Sequence, residues 1–215
     1  EMPDPEALRA RLQALGVSDR SRIVVYPQRD IQSATRLVFV LDAAGLGART
    51  SLLDGGLAGW TKAGKALETA SATPAPGKLS PLKMRPIVVD AAFVQAHAKA
   101  PGYVVVDARA SEFYAGTRAG GSPARPHKAG HIAGAKSVPF MSVTTPDARL
   151  ASPDEIAARF KAAGVKPGDK VIAYCHVGQQ ATATAFAART LGLEVLLYDG
   201  SFEEWSRKDG AVEKQ

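Results

Sequence analysis

Two parts of this chain resemble each other, and this internal repeat limits the possible folds more than any other feature of the sequence. Residues 4–26, DPEALRARLQALGVSDRSRIVVY, align without a gap with residues 152–174, SPDEIAARFKAAGVKPGDKVIAY, at an offset of 148. Further along, residues 52–68 resemble residues 196–213 in the same order. The chain therefore contains two copies of one folding unit.

Each copy has the pattern of a helix, a strand, a second helix and a second strand. In the second copy, Ser152, Pro153 and Glu155 form the signature of a capped helix start. Residues 170–175 and 194–200 are short apolar runs, which is typical of strands buried on both faces of a parallel sheet. Strands that alternate with helices predict an α/β fold with a mostly parallel sheet flanked by helices.

The two copies differ in what precedes them. The second copy has an upstream part between about residue 86 and residue 140 that the first copy lacks, so roughly 60 residues of the first unit are missing. We predict that residues 1–68 are the second half of a domain, that the Pro-rich residues 69–83 are an interdomain linker, and that residues 84–215 form a complete domain. Because half a domain leaves sheet edges uncovered, we expect the missing strands in a cleaved fragment that stays bound, or in a segment absent from this sequence.

The composition excludes several classes of protein. Hydrophobic residues make up 46% and charged residues 22% of the 215 residues, with no apolar run long enough for a transmembrane helix, so no membrane partner is expected. The net charge of +6 favours anionic ligands, but the basic residues are scattered and no nucleic acid is expected. One cysteine and four histidines without zinc spacing predict no metal or other cofactor. The sequence leaves the compartment open, with the cytoplasm slightly preferred to the periplasm.

The lone cysteine, Cys175, stands where a predicted strand ends and shortly before a helix that begins near Gln180. The unpaired N–H groups and the positive dipole at a helix N-terminus stabilise a thiolate and bind anions. Gly178 allows the loop to curl so that successive N–H groups point inward. The alternative is a buried cysteine with a structural role. In the first copy Pro27 occupies the equivalent position, and proline cannot be a nucleophile.

These features together resemble the tandem-domain rhodanese family of sulfurtransferases, whose N-terminal domain is typically inactive and whose C-terminal domain carries the cysteine. The resemblance covers residues 84–215, and it covers residues 4–68 as the second half of an inactive domain. It implies two rhodanese-like α/β domains, of which the N-terminal one is incomplete here. The motifs that carry it are VVVDAR (104–109), EFYAG (112–116), GHIAGAKSVPF (130–140), YCHVGQQA (174–181) and LYDGSFEEW (197–205).

The resemblance also implies a mechanism. The Cys175 thiolate takes the outer sulfur of thiosulfate or a related donor, becomes a persulfide, and passes the sulfur to a thiol or to cyanide. Arg109 either holds the anionic end of the donor or pairs with Asp107, whose role is structural, as is that of His131. The expected binding groups are the backbone N–H groups of His176, Val177, Gly178, Gln179 and Gln180.

Three further expectations follow. His176 follows the nucleophile, where thiosulfate-preferring members often have a basic residue; its charge is expected to change near neutral pH, which weakly favours thiosulfate over mercaptopyruvate. The related phosphatases have an arginine six residues after the cysteine, and Ala181 at this position argues against phosphatase activity. A persulfide carrier without turnover and a mercaptopyruvate-preferring enzyme remain alternatives.

His97 and His127 are expected on the surface.

Overall fold

The structure, a computed structural model, describes residues 2–70 and 72–215, and these residues divide into two units with the boundary between residues 86 and 87. Residue 1 of the first predicted segment and residue 71 of the predicted linker lie outside the described residues. No helix within the described ranges is both long enough and apolar enough to cross a bilayer.

The first unit alternates helices and short strands, as its sequence predicts. Its two strands are parallel, and the central helix buries most of its length. Aspartates cap two of the helices: Asp4 accepts a hydrogen bond from the N–H of Ala7 and Asp30 accepts one from the N–H of Ser33. The elements are α1 (Pro5–Ala14), β1 (Ile23–Val25), α2 (Ile31–Ala43), β2 (Thr50–Leu52) and α3 (Gly56–Lys62), with a 3-10 turn at Gly47–Arg49 before β2.

The segment predicted as an interdomain linker, residues 69–83, has no helix or strand in its described part, but it is bound to the first unit. The N–H of Gly77 donates to the carbonyl of Gln13 at 2.7 Å, and the N–H of Lys78 donates to Oγ of Ser18 at 2.9 Å. Leu79 is buried. The second half of this segment is therefore part of the first unit and not a free extended chain.

The second unit is built around a five-stranded, fully parallel sheet with the strand order β3-β10-β9-β4-β8. Two small antiparallel pairs, β5 with β6 and β7 with β11, lie outside this sheet. The strands are β3 (Val88–Val89), β4 (Tyr103–Asp107), β5 (Gly121–Ser122), β6 (Arg125–Pro126), β7 (His131–Ile132), β8 (Lys136–Ser137), β9 (Lys170–Tyr174), β10 (Glu194–Tyr198) and β11 (Val212–Glu213). The helices are α4 (Ala91–His97), α5 (Ser111–Ala115), α6 (Pro153–Ala162), α7 (Gln180–Thr190) and α8 (Ser201–Trp205), and Phe140–Ser142 form a 3-10 turn.

The predicted helix start at Ser152 is confirmed: its hydroxyl and the Glu155 side chain form a capping box at the beginning of α6. The helix that follows β9 is rich in alanine, and five of its alanines are buried, which lets α7 approach the sheet closely. Because β4, β9 and β10 are parallel neighbours, their carboxyl ends meet at one edge of the sheet. Ligands bind at this edge in open parallel sheets.

The repeat also extends to strand pairing. In the first unit Ile23 is opposite Thr50, and in the second unit Val171 is opposite Val195. Ile23 corresponds to Val171 at the offset of 148, and Thr50 corresponds to Val195 at the offset of 145 that aligns Asp54 with Asp199, so β1 and β2 pair in the same parallel register as β9 and β10. The second unit adds β4 and β3 on the outer sides of this pair.

Candidate active site

Cys175 is the first residue after the central strand β9, and its side chain is completely buried. Its backbone is fixed by the start of α8, because its N–H donates to Oγ of Ser201 at 3.2 Å and its carbonyl accepts from the N–H of Phe202 at 3.0 Å. Ser201 adopts a left-handed φ of 52° and is itself buried. The strand, the loop and α8 together therefore hold the thiol at one place at the carboxyl edge of the sheet.

Three backbone N–H groups, those of Ala181, Val177 and Gly178, hydrogen-bond to the thiol and lower its pKa. Gly178 has a φ of 80°, the left-handed conformation that turns the loop back toward the sulfur. Two of these groups belong to the five that the sequence predicted. Ala181 was missed, although its position in the first turn of α7 leaves its N–H without an intrahelical partner.

The net effect on the thiol differs from the expectation. Burial raises the pKa of Cys175 above its ordinary value, and this effect exceeds the opposing effect of the three N–H groups, while the charge of Asp107 raises the pKa further. The prediction that the loop alone stabilises a thiolate is therefore wrong for the unloaded chain. A buried thiol without water around it stays protonated, and it needs a proton acceptor before it can react.

The other predicted loop residues have different contacts. The carbonyl of Gln179 accepts hydrogen bonds from the N–H and the hydroxyl of Thr182, at 3.1 and 2.7 Å. Gln180 begins α7, and its buried side-chain oxygen has no hydrogen-bond partner among residues 2–70 and 72–215.

Asp107 and Arg109 form a buried ion pair at the end of β4, with Nη2 of Arg109 2.6 Å from Oδ2 of Asp107. The same carboxylate accepts a hydrogen bond from the hydroxyl of Tyr174 at 2.6 Å. The guanidinium also donates to the carbonyl of Gly130 at 2.7 Å and lies 3.9 Å from the ring centroid of Phe202. Two roles were left open for Arg109, and the structure shows the ion pair with Asp107.

Both the side chain and the backbone of His131 make contacts that hold the segment before β8 in place. Its ring stacks on Tyr114 with centroids 3.8 Å apart, and its Nδ1 lies 2.8 Å from the carbonyl oxygen of Tyr114. The backbone of His131 is part of β7, which pairs with β11. These contacts fit the structural role expected of it.

His176 is not the titrating residue that the sequence predicted. Burial and the charges of Arg109 and His127 lower the pKa of His176 to about 4. Its ring meets the ring of Phe113 edge-on at 4.6 Å. At neutral pH the side chain that follows the nucleophile is therefore uncharged, and its charge does not change between pH 6 and pH 8.

His127 was expected on the surface, and this expectation is wrong. The hairpin formed by β5 and β6 turns its side chain inward, where Nε2 lies 2.5 Å from a carboxylate oxygen of Glu203. Its ring centroid is 5.6 Å from that of His176. No sequence pattern indicates this contact, because the two partners are far apart in the chain and the hairpin is too short to show a strand pattern.

Comparison with known proteins places these contacts in a family. Residues 90–208 match the rhodanese-like domain family. The chain is 34% identical over 206 residues to the probable 3-mercaptopyruvate sulfurtransferase of Pseudomonas aeruginosa, an alignment that covers 95% of this chain and 71% of that protein. The chain belongs to the rhodanese family.

Other rhodanese relatives agree with this assignment. The thiosulfate sulfurtransferase of Rattus norvegicus is 33% identical over 198 residues, which cover 90% of this chain and 66% of that protein. The crystal structure of SseA from Escherichia coli, described as a rhodanese fold of 3-mercaptopyruvate sulfotransferases, superposes with a TM-score of 0.78 at 28% identity, over 93% of this chain and 73% of that one.

A longer enzyme shares the fold alone. The anaerobic ergothioneine biosynthesis enzyme from Chlorobium limicola superposes with a TM-score of 0.85 at 24% identity, over 99% of this chain. The rhodanese chain described here spans 55% of the length of that enzyme. Within residues 2–70 and 72–215, no three histidine, cysteine, aspartate or glutamate side chains are grouped so that they could hold a metal ion.

Proposed function

We propose that this rhodanese is a sulfurtransferase that carries sulfane sulfur as a persulfide on Cys175. The observation that carries the proposal is the position of the thiol, at the carboxyl end of the central strand, with the N–H groups of Val177, Gly178 and Ala181 directed at it. Membership of a family whose relatives are named sulfurtransferases supports it.

The proposed reaction has two steps. First, Cys175 releases its proton to solvent, the resulting thiolate attacks the outer sulfur of thiosulfate, a bond forms between the two sulfurs, and the S–S bond of the donor breaks so that sulfite leaves with the bonding electron pair. Second, an acceptor takes the outer sulfur, and the Cys175 sulfur leaves with the electron pair of the persulfide bond. The three N–H groups favour the negative sulfur once the proton has left and again after the second step.

The donor is proposed as thiosulfate or a related anionic sulfur compound, with 3-mercaptopyruvate as the alternative. The sequence argument for thiosulfate depended on a charged His176, and a pKa of about 4 removes that argument. Arg109 does not supply the missing positive charge for the donor, because its guanidinium is already paired with Asp107. The support that remains is the set of inward N–H groups and the net charge of +6, which favour any anionic donor.

Steady-state assays with thiosulfate and with 3-mercaptopyruvate, each with cyanide as acceptor, test the proposal, and Cys175→Ser is the matched control. Turnover that disappears in Cys175→Ser supports the mechanism, and the ratio of kcat/KM for the two donors identifies the preferred one. A Cys175→Ser protein with full activity would refute it. Sulfur loading without turnover on either donor would favour the persulfide carrier.

We further propose that residues 2–68 are the second half of an inactive rhodanese-like domain, whose first half is either a separate bound fragment or a segment absent from this sequence. The matching register of β1–β2 and β9–β10 supports this, as does Pro27 at the position equivalent to Cys175. Val24 in β1 is 60% exposed, whereas its counterpart Ile172 in β9 is fully buried beside β4. Native mass spectrometry of the protein isolated from its source should detect either a bound fragment or a longer chain, and a lone, well-folded 215-residue species would contradict the proposal.

A further inference from the structure

Among the residues that the structure describes, His127 is the one buried basic side chain whose hydrogen bonding is incomplete. Only 7% of the surface of this residue is exposed, and its Nδ1 has no hydrogen-bond partner within the described chain. Its other nitrogen, Nε2, contacts the carboxylate of Glu203. A buried polar atom without a partner is uncommon in a folded protein and needs an explanation.

The carboxylate fixes the tautomer of this ring. A neutral imidazole has one N–H and one lone pair, and a carboxylate 2.5 Å from Nε2 places the N–H on that nitrogen. Burial and the charges of Arg109 and Arg207 lower the pKa of His127, so the ring is neutral at neutral pH. Nδ1 is therefore a hydrogen-bond acceptor with a free lone pair. A group that hydrogen-bonds to Nδ1 has to be a proton donor.

Two backbone hydrogen bonds link the partner of this acceptor to the loop of the nucleophile. The N–H of Glu203 donates to the carbonyl of His176 at 2.9 Å, and the N–H of the preceding Phe202 donates to the carbonyl of Cys175 at 3.0 Å. The same glutamate therefore holds both the base and the loop of the nucleophile. In addition, the charged or titratable side chains that act on the His127 ring are Glu203 and Arg207 from the region of α8, Arg109 after β4 and His176 after β9.

Gly120 brings the two imidazoles together. A methyl group at this position would lie 3.0 Å from Nδ1 of His127 and 2.8 Å from Nδ1 of His176, so both nitrogens converge on one point next to the glycine. The N–H of His127 donates to the carbonyl of Gly120 at 3.0 Å, which holds this approach in place. Any side chain at position 120 would push the rings apart.

We propose that His127, supported by Glu203, is the general base for the acceptor thiol in the second half of the reaction, which deepens the function proposed above and rests on it. The proton of the acceptor thiol moves to Nδ1 of His127, and the acceptor sulfur bonds to the outer sulfur of the persulfide. The bond from that outer sulfur to Cys175 breaks, and the Cys175 sulfur leaves with the electron pair. The transferred sulfur atom changes partner, no net oxidant or reductant is used, and the imidazolium faces the Glu203 carboxylate until it releases its proton.

The substitution His127→Gln tests this, because glutamine keeps a nitrogen donor for Glu203 and lacks the basic Nδ1. Cys175 is first loaded with thiosulfate, excess donor is removed, and discharge is followed by intact mass with two acceptors: a thiol, which brings a proton, and sulfite, which brings none at pH 8. We expect normal loading, about 10²-fold slower discharge to the thiol, and unchanged discharge to sulfite. His97→Gln, at the last residue of α4 and next to Tyr103 at the start of β4, is the matched control.

The pH dependence separates a base from a structural residue. The deficit of His127→Gln should shrink as the pH passes the pKa of the acceptor thiol, about 8.5, because an ionised thiol needs no base. Glu203→Gln, which removes the charge facing the imidazolium, should show a smaller deficit of the same thiol-selective kind. Equal slowing with both acceptors, no slowing with the thiol, or a deficit independent of pH would overturn the proposal. If the unsubstituted protein does not load, the function proposed above fails, and this inference fails with it.

Discussion

Replacing Asp107 by alanine should destabilise the second unit strongly, because Arg109 would keep a buried charge without its partner. Asp107 is fully buried, Arg109 is 1% exposed, and the carboxylate also accepts the hydrogen bond of the Tyr174 hydroxyl. Removing one member of a buried ion pair costs about 3–5 kcal/mol, and a buried hydroxyl donor that loses its acceptor costs about 1–3 kcal/mol. Because the groups left behind partly relax together, we expect a loss of about 4 kcal/mol, a large part of a typical stability of about 5–15 kcal/mol.

Urea unfolding monitored by tryptophan fluorescence measures this loss of stability in the second unit. The chain has two tryptophans, of which Trp205 is buried in the second unit and Trp60 in the first is 41% exposed. In a Trp60→Phe background the signal reports on Trp205 alone, and linear extrapolation gives the free energy of unfolding. Asp147→Ala, at an exposed aspartate that pairs with Arg149, is the matched control and should cost under about 1 kcal/mol.

The double substitution Asp107→Ala with Arg109→Met, compared with each of the two single changes, decides whether the reasoning is correct. If the cost of the single change comes from an uncompensated charge, removing both charges should recover a substantial part of it, with a coupling of about 1–3 kcal/mol. A loss of less than about 1 kcal/mol for Asp107→Ala would refute the argument. So would strictly additive costs, since they would mean that the two side chains do not stabilise the fold as a pair.

Three further predictions concern the loop, the thiol and α6. Gly178→Ala should cost about 1–2 kcal/mol, because φ is 80°, and should slow persulfide formation measured by rapid-quench mass spectrometry; normal loading would argue against the inward N–H groups. Alkylation of Cys175 by iodoacetamide should be much slower in the native chain than in urea, and its rate should still rise with pH above 9, since burial raises the thiol pKa; a plateau at neutral pH would contradict this. Ser152→Ala should cost about 1 kcal/mol in the same unfolding assay, and no change would question the capping box.

The elements that local sequence specifies were predictable. The helix start at Ser152 depends on residues three positions apart, and the buried strand at 170–174 reads directly from its apolar run. The position of Cys175 between that strand and α7 follows from the same local pattern. The repeat extended this reasoning to the first unit, because the two copies have the same order of elements.

Features that depend on distant contacts were not predictable in the same way. The pKa of His176 depends on burial and on Arg109, which follows β4. The contact of the His127 ring depends on Glu203, which α8 brings to the site from a distant part of the chain. The protonated state of Cys175 follows from its complete burial, which the loop sequence does not encode. The position of a helix N-terminus can be predicted from sequence. Whether water reaches that N-terminus depends on how the whole unit packs.

The most direct test of the account is the intact mass of the protein after exposure to thiosulfate and removal of excess donor. We expect the mass to rise by one sulfur atom, peptide mapping to place that atom on Cys175, and subsequent cyanide to return the mass to its starting value. The Cys175→Ser protein should gain nothing. A sulfur atom found elsewhere in the chain, or a Cys175 that never gains one with thiosulfate or 3-mercaptopyruvate, would contradict the central claim.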